Sequence, residues 1–181
     1  MKFFRTDIEG VVIIEPRVFN DPRGYFMESW KKDLFSEEIG EINFIQDNES
    51  KSSYGVLRGL HYQKGDASQA KLVRVIKGKV LDVAVDIRKN SPTFGKHIMV
   101  ELSEENKRQL FIPRGFAHGF LVLSDDAIFT YKVDNQYAPH SEASILYNDP
   151  ELGIEWPISN NEMILSDKDK CASLLKDAEL F

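Results

Sequence analysis

Cysteine and long apolar runs are both scarce in this chain. Cys171 is the only cysteine among 181 residues, which excludes an internal disulfide and a zinc site built from cysteines. The amino end, MKFFRTDIEG, has no apolar run of signal-peptide length, and no later stretch is long enough to span a membrane. We therefore expect a protein of the reducing cytoplasm that has no membrane partner.

An excess of basic residues is also missing. The 23 Lys and Arg are outnumbered by 29 Asp and Glu, which gives a formal charge of −6. Non-specific nucleic-acid binding requires a basic face and is therefore not expected. An anionic small ligand is compatible with this charge, because a few arginines and lysines can form a positive pocket in an acidic protein.

Helical patterns are few. Only KKDLFSEEIG, which ends in a glycine cap, and SDKDKCASLLKDAELF, which begins at an N-cap serine, favour helix. About ten short segments rich in β-branched and aromatic residues favour strands, among them GVVIIEP, GYFMESW, INFIQDN, GVLRGLHYQ and AIFTYKV. Since no helices alternate with them, we predict one all-β domain over residues 1–181, a jelly-roll β-barrel or sandwich with short peripheral helices.

The segment KVLDVAVDI shows the clearest strand pattern. Val80, Asp82, Ala84 and Asp86 alternate with a wholly apolar set that begins at Leu81. This period of two predicts a strand with one buried face.

Histidine is rare as well, with 4 in the chain, and His61 in GLHYQKG has three interpretations: metal ligand, proton-transfer group or hydrogen-bonded core residue. Iron and manganese sites in small barrels need two or three histidines and a carboxylate on one ion. Two positions after His61, on the same strand face, stands Gln63, and after His118 no ligand-type side chain follows until Ser124. We therefore expect no functional metal.

Arg58 and His61 pose a question of geometry. In a regular strand, side chains three positions apart lie on opposite faces. Gly59 between them could mark a β-bulge that brings both to one side, where an anion would lie next to a titratable base. The alternative is a core histidine bonded to backbone, with Arg58 pointing outward.

Local patterns leave the other candidates open. His118, between Phe116 and Phe120, fits a buried core residue, and Tyr131 could donate a proton or simply pack its ring. Tyr137 is either a surface aromatic or a platform on which a base stacks. Ser166 and Asp169 form a Ser-x-x-Asp capping pattern. Taken alone, Arg23 is a turn residue and Lys71 a solvated strand end.

Several longer motifs, taken in order, resemble the dTDP-4-dehydrorhamnose 3,5-epimerase family over nearly the whole chain. They are IEGVVIIEPRVFNDPRGYFMESW, QDNESKSSYGVLRGLHYQ, KLVRVIKGKVLDVAVDIRKNSPTFGK, LSEENKRQLFIPRGFAHGFLVLSDDAIFTYKVDNQY, SILYNDPELGIEWP and LSDKD. The resemblance implies a cupin-type jelly roll that inverts carbons 3 and 5 of dTDP-4-dehydro-6-deoxyglucose to give dTDP-4-dehydrorhamnose. It also implies a homodimer that uses no cofactor.

The resemblance assigns a role to each matching position. His61 is similar to the family's general base, Asp169 to its carboxylate partner, and Tyr131 to the general acid across the sugar. Tyr137 matches the aromatic residue that stacks on thymine. The other positions that match substrate-binding residues are Arg23, Phe26, Glu28, Gln46, Asp47, Asn48, Arg58, Lys71, His118, Glu142 and Lys168.

Three other activities compete with double epimerisation. A mono-epimerase would use the same His–Asp pair but would be expected to lack or misplace the acid, so Tyr131 disfavours it. A ketoisomerase on a similar barrel would move the carbonyl group instead. A non-catalytic nucleotide-sugar-binding barrel would need the arginines and the stacking tyrosine, but not His61, Tyr131 and Asp169 together.

Overall fold

Strands account for most of the regular structure, as the alternation and the turn residues predict. The computed structural model describes residues 1–181. Its strands are β1 (Lys2–Arg5), β2 (Val12–Glu15), β3 (Val18–Asp21), β4 (Gly24–Met27), β5 (Gln46–Ser53), β6 (Leu57–Gln63), β7 (Lys71–Lys77), β8 (Lys79–Asp86), β9 (His97–Ser103), β10 (Gln109–Ile112), β11 (Phe116–Val122), β12 (Asp126–Val133) and β13 (Glu142–Ser144). The α-helices are α1 (Lys32–Glu38) and α2 (Asp167–Lys170), and no helix has the length and apolar character needed to cross a membrane.

Two antiparallel sheets form the body of the molecule. One has six strands in the order β1-β2-β10-β7-β12-β5, and the other has five in the order β13-β6-β11-β8-β9. Buried apolar side chains from both sheets pack between them, and the rings of Phe120 on β11 and Phe129 on β12 stack with centroids 4.1 Å apart. The predicted jelly roll with short peripheral helices is confirmed.

A separate hairpin, formed by β3 and β4, pairs with neither sheet. It displays three exposed aromatic side chains, Phe19, Tyr25 and Phe26. This hairpin therefore buries little of its apolar surface within its own chain.

Three predictions about individual segments were wrong: two concern the bounds of elements, and the third concerns the buried face of β8. The strand expected in INFIQDN begins only at Gln46 and continues through the polar residues to Ser53. The C-terminal helix is a single turn, Asp167–Lys170, followed by a 3-10 turn at Leu175–Asp177. Here tertiary packing overrides helical propensity, because Leu175 is buried against β8 and its backbone N–H donates to the buried Asp149 carboxylate, at 2.6 Å.

Strand β8 does not have the single buried face that its alternation predicts. Val80 and Ala84 face the core between the sheets, whereas Val83 and Val85 pack against a second layer that includes Leu175. Asp82 and Asp86 are fully buried as well, at 0% exposure. Because β8 lies inside its sheet and the C-terminal segment covers its outer side, both faces are excluded from water.

Candidate active site

A β-bulge in β6 brings Arg58 and His61 to one side of the sheet. On the neighbouring strand β11, His118 pairs with His61 and Phe120 with Arg58, so that three steps on β6 match two on β11. Gly59 at this point has φ +133°, and a Cβ there would lie 2.4 Å from the Cα of Gly119. Only glycine fits such a close approach. Of the two alternatives that the sequence left open, the structure therefore has the bulge that Gly59 could mark.

His61 and Asp169 form a hydrogen-bonded pair although 108 positions separate them in sequence. The Nε2 of His61 lies 2.5 Å from Oδ1 of Asp169, whose side chain is 4% exposed. Ser166 donates its hydroxyl proton to the other carboxylate oxygen at 2.8 Å and accepts from the Asp169 backbone N–H at 3.2 Å. Asp169 is therefore both a member of the predicted capping pattern and the predicted partner of His61.

Asp169 is held in its ionised form. Burial raises the pKa of this carboxyl, but the hydrogen bonds from His61 and Ser166 outweigh burial and lower the pKa below its usual value. An ionised carboxylate only accepts hydrogen bonds, so Nε2 of His61 carries a proton. The neutral imidazole then has its lone pair on Nδ1, the atom that can act as a base.

His61 borders a cavity of about 240 Å³ between the two sheets. Tyr131 on β12 and Lys71 on β7 reach it from the six-stranded sheet, whereas His118 on β11 lies beside His61. Phe120 and Phe129 line it with apolar surface. His61 and Tyr131 therefore approach one cavity from opposite sheets.

His118 has a carboxylate partner that the sequence did not reveal. Its Nε2 lies 2.9 Å from Oδ2 and 3.1 Å from Oδ1 of Asp82, and both residues are buried. Burial lowers the pKa of His118 although Asp82 opposes the shift, and the Lys71 and His61 charges lower it further. The only sequence signal for Asp82 was a carboxylate on the same face as Val80 and Ala84.

Two other cavity groups have shifted proton affinities. Burial lowers the pKa of the Lys71 ammonium to about 8, against the opposing charges of Asp82 and Glu142. Burial raises the pKa of the Tyr131 phenol, although the Arg58 guanidinium acts in the other direction. At neutral pH Lys71 is therefore mostly a cation and Tyr131 a proton donor.

A second cavity of about 380 Å³ adjoins the first at Arg58 and His61, and Glu142, Lys168 and Asp169 also line it. Glu142 accepts from Lys168 at 2.5 Å and from the Tyr137 hydroxyl at 2.7 Å. Burial raises the pKa of Glu142, but these two bonds outweigh burial and lower it overall. The structure thus brings Tyr137, Glu142 and Lys168 into one network beside the His–Asp pair.

Not every candidate reaches these cavities. Arg23, Phe26 and Glu28 are exposed on and just after the β3–β4 hairpin, and Arg23 pairs only with Asp21, at 2.6 Å. In the QDN segment, Asn48 lines the first cavity, Gln46 donates to Asn48 at 2.7 Å, and Asp47 bonds Lys132 at 2.8 Å. The structure forms no group of three or more metal-ligating side chains, since each cavity histidine pairs with one carboxylate.

Fold and site together place the chain among cupin-type jelly-roll proteins with acid–base side chains inside the barrel. Residues 5–177 match the model of the dTDP-4-dehydrorhamnose 3,5-epimerase family, and the chain belongs to that family. The Shigella flexneri dTDP-4-dehydrorhamnose 3,5-epimerase is 55% identical over 182 residues, covering 100% of this chain and 99% of its own.

Solved structures agree with this assignment. The dTDP-4-dehydrorhamnose 3,5-epimerase of Elizabethkingia anophelis superposes with a TM-score of 0.94 at 56% identity, covering 98% of this chain and 97% of its own. A Legionella pneumophila dTDP-6-deoxy-D-glucose-3,5-epimerase, in complex with dTDP-4-keto-L-rhamnose, gives a TM-score of 0.95 at 51% identity and covers 98% of this chain and 94% of its own.

Proposed function

We propose that this chain is an isomerase that inverts carbons 3 and 5 of dTDP-4-dehydro-6-deoxyglucose to give dTDP-4-dehydrorhamnose. The observation that carries the proposal is the His61–Asp169 pair, which faces Tyr131 across one cavity. The ketone at carbon 4 acidifies the hydrogens on carbons 3 and 5. Inversion at either carbon needs a base on one face of the sugar and an acid on the other.

In this mechanism His61 removes the proton. Its Nδ1 takes the hydrogen from the carbon next to the ketone, and the electron pair moves to the carbonyl oxygen to form an enolate. Asp169 stabilises the imidazolium that results, because an ionised carboxylate accepts from Nε2 and holds the ring in place. The Ser166 hydroxyl holds that carboxylate in turn.

Tyr131 returns a proton from the opposite face. The phenol is protonated at neutral pH, and burial raises its pKa further above the neutral range. The enolate electron pair takes the phenolic proton at carbon and re-forms the ketone, now with inverted configuration. Solvent then restores both residues, so the reaction moves only protons and needs no redox partner.

Lys71 stabilises the enolate oxygen, and His118 joins it only as an imidazolium, because its Nε2 proton is held by Asp82 and Nδ1 donates only when it is protonated as well. Both side chains line the cavity, so a positive charge on either lies next to the developing negative charge. Asp82 acts through His118, because its carboxylate accepts from Nε2 and fixes the ring. Arg58 and Lys168 bind the diphosphate, and the exposed ring of Tyr137 stacks on thymine.

The β3–β4 hairpin completes the site of a second copy of this chain in a homodimer. Arg23, Phe26 and Glu28 border neither cavity of their own chain, and Phe26 is 67% exposed. Exposed aromatic residues on a protruding hairpin are typical of a surface that another subunit covers. The hairpin then supplies a cation and an aromatic ring to the partner's substrate.

Mixing two inactive variants tests this exchange. Arg23→Glu repels the diphosphate and His61→Ala lacks the base, so each homodimer has two defective sites. Coexpressed, the two chains should recover roughly a quarter of wild-type activity, because half of the dimers are mixed and each has one complete site. If the purified mixture stays as inactive as either parent, the hairpin does not serve the other subunit.

Proton NMR of dTDP-4-dehydro-6-deoxyglucose with the protein in heavy water tests the reaction itself. We expect deuterium at carbons 3 and 5 with inversion at both. Label at one carbon alone would show a mono-epimerase. If no label enters although dTDP binds tightly, the chain is a binding protein or acts on another sugar.

A further inference from the structure

Gln63 is a buried residue whose role the proposed mechanism leaves open. It lies two positions after His61 on β6 and is 5% exposed. Its Nε2 donates to the backbone oxygens of Ala67, at 2.7 Å, and Gln136, at 3.0 Å, and its Oε1 accepts from the Ala138 N–H at 2.6 Å. Two amide hydrogens and one oxygen thus bind three backbone groups, which also fixes the orientation of the amide.

Two of those backbone groups flank Tyr137. Gln136 precedes this tyrosine and Ala138 follows it, so the Gln63 side chain holds the backbone on both sides of the residue. The same loop is bound one position earlier, where Asn135 donates to the Asp66 oxygen and Gln69 donates to the Asn135 oxygen, both at 2.8 Å. The polypeptide around Tyr137 is therefore attached to the body of the barrel.

The ring of Tyr137 is also held at its far end. Its hydroxyl donates to Oε2 of Glu142 at 2.7 Å, and Glu142 pairs with Gln63 in the register of β13 and β6. The residue is nevertheless 56% exposed. An aromatic ring that is fixed at both ends while its surface is open to solvent is pre-organised to stack on a flat partner.

We infer that Gln63 is a positioning residue for nucleobase recognition, which holds Tyr137 ready to stack on the base of the nucleotide. The inference rests on the proposed function, in which Tyr137 stacks on thymine. Its physical basis is that a loop ordered before binding loses no conformational freedom when the ligand arrives. Without Gln63, the loop becomes ordered only when the ligand binds, which costs part of the binding free energy. This cost lowers the affinity for the base but not for the diphosphate.

Calorimetric titration of the full-length chain with dTDP and with inorganic pyrophosphate tests the inference. Tyr137→Ala should raise the Kd for dTDP roughly five- to hundredfold, the range expected for one base stacked on an aromatic ring. Gln63→Met, which is similar in length but forms none of the three bonds, should raise it by part of that factor. Neither change should alter the Kd for pyrophosphate, and in turnover Gln63→Met should raise KM by a larger factor than it lowers kcat.

The double variant shows whether Gln63 acts through Tyr137. In the Tyr137→Ala background, Gln63→Met should have almost no further effect on dTDP binding, because residues that act as one unit are not additive. Thr93→Val serves as the control for lost stability. It removes one bond to the buried Asp86, at 2.6 Å, in a turn outside both cavities, and it should leave dTDP binding unchanged.

A failure of base stacking and a failure of the role of Gln63 give different results. If Tyr137→Ala leaves dTDP binding intact, stacking in the proposed function is wrong. If Tyr137→Ala weakens dTDP binding and Gln63→Met does not, only the inference about Gln63 is overturned. Equal losses for dTDP and pyrophosphate would overturn it as well. Should Gln63→Met fail to fold, Gln63→Asn, which keeps an uncharged amide but is one methylene too short to reach all three backbone groups, gives the same comparison.

Discussion

Replacing His61 with alanine is expected to lower kcat by about 10²–10⁴-fold, the usual contribution of a positioned base. Binding of dTDP should be nearly unchanged, because the proposed contacts of His61 are with the sugar carbons and not with the nucleotide. The measurement pairs steady-state turnover with calorimetric titration of dTDP. Deuterium uptake at both carbons should fall together with turnover, since removal of either proton requires the same Nδ1.

Asp169→Asn tests the contribution of the carboxylate that pairs with His61. The amide occupies the same volume, but it is uncharged and cannot stabilise an imidazolium as a carboxylate does. We expect a loss in kcat smaller than that of His61→Ala, and little further loss when the two changes are combined. Full activity in His61→Ala would show that another group is the base.

Tyr131→Phe should separate exchange from inversion. His61 can still remove a proton and, after exchange with solvent, return a deuteron to the same face, so substrate should acquire label without changing configuration. Inversion, which needs a proton from the opposite face, should fall by about 10²–10⁴-fold. One-dimensional proton NMR in heavy water resolves the two processes, because label removes the signals at carbons 3 and 5, whereas inversion changes the shifts and couplings of the ring protons that remain.

Tyr62→Phe is the matched control for Tyr131→Phe. Tyr62 is adjacent to His61 in sequence, but its ring lies in the outer apolar layer and its hydroxyl donates to the Glu179 oxygen at 2.8 Å. Burial raises the pKa of this phenol to about 12, yet Tyr62 lines neither of the two cavities that His61 borders. Removing its hydroxyl should leave inversion intact. If Tyr131→Phe also inverts both carbons at the normal rate, Tyr131 is not the acid.

Much of the fold follows from local pattern. Alternation in segments such as GVLRGLHYQ and AIFTYKV predicts strands, and turn residues separate them. The sequence also allowed a bulge at Gly59 to be considered, because a glycine inside a strand often marks a bulge or a close approach of two backbones. Three strands escaped prediction, β1, β3 and β13. Each has four residues or fewer and, unlike the equally short β2 and β10, none of them contains a buried residue.

Other features of the site depend on packing between distant segments. The alternation in β8 places Asp82 and Asp86 on one face but does not say whether that face is solvated or buried. Packing of this face against the opposite sheet buries Asp82, and the turn from Arg88 to Thr93 covers Asp86. Asp82 then pairs with His118, from which 36 positions separate it. Gln63 is similar, since its partners at Gln136 and Ala138 are more than 70 positions away in sequence.

The sequence by itself determined the strand content and the likeness to an epimerase family, and from that likeness came the proposal that His61, Tyr131 and Asp169 are the reactive groups. Tertiary structure decided which of the candidate site residues contact one another. It joined His61 to Asp169 and His118 to Asp82, and it placed Arg23 and Phe26 on a hairpin outside their own chain's cavities. The reason is physical: a strand's period is set by neighbouring residues, whereas burial and contact depend on which distant segment covers each face.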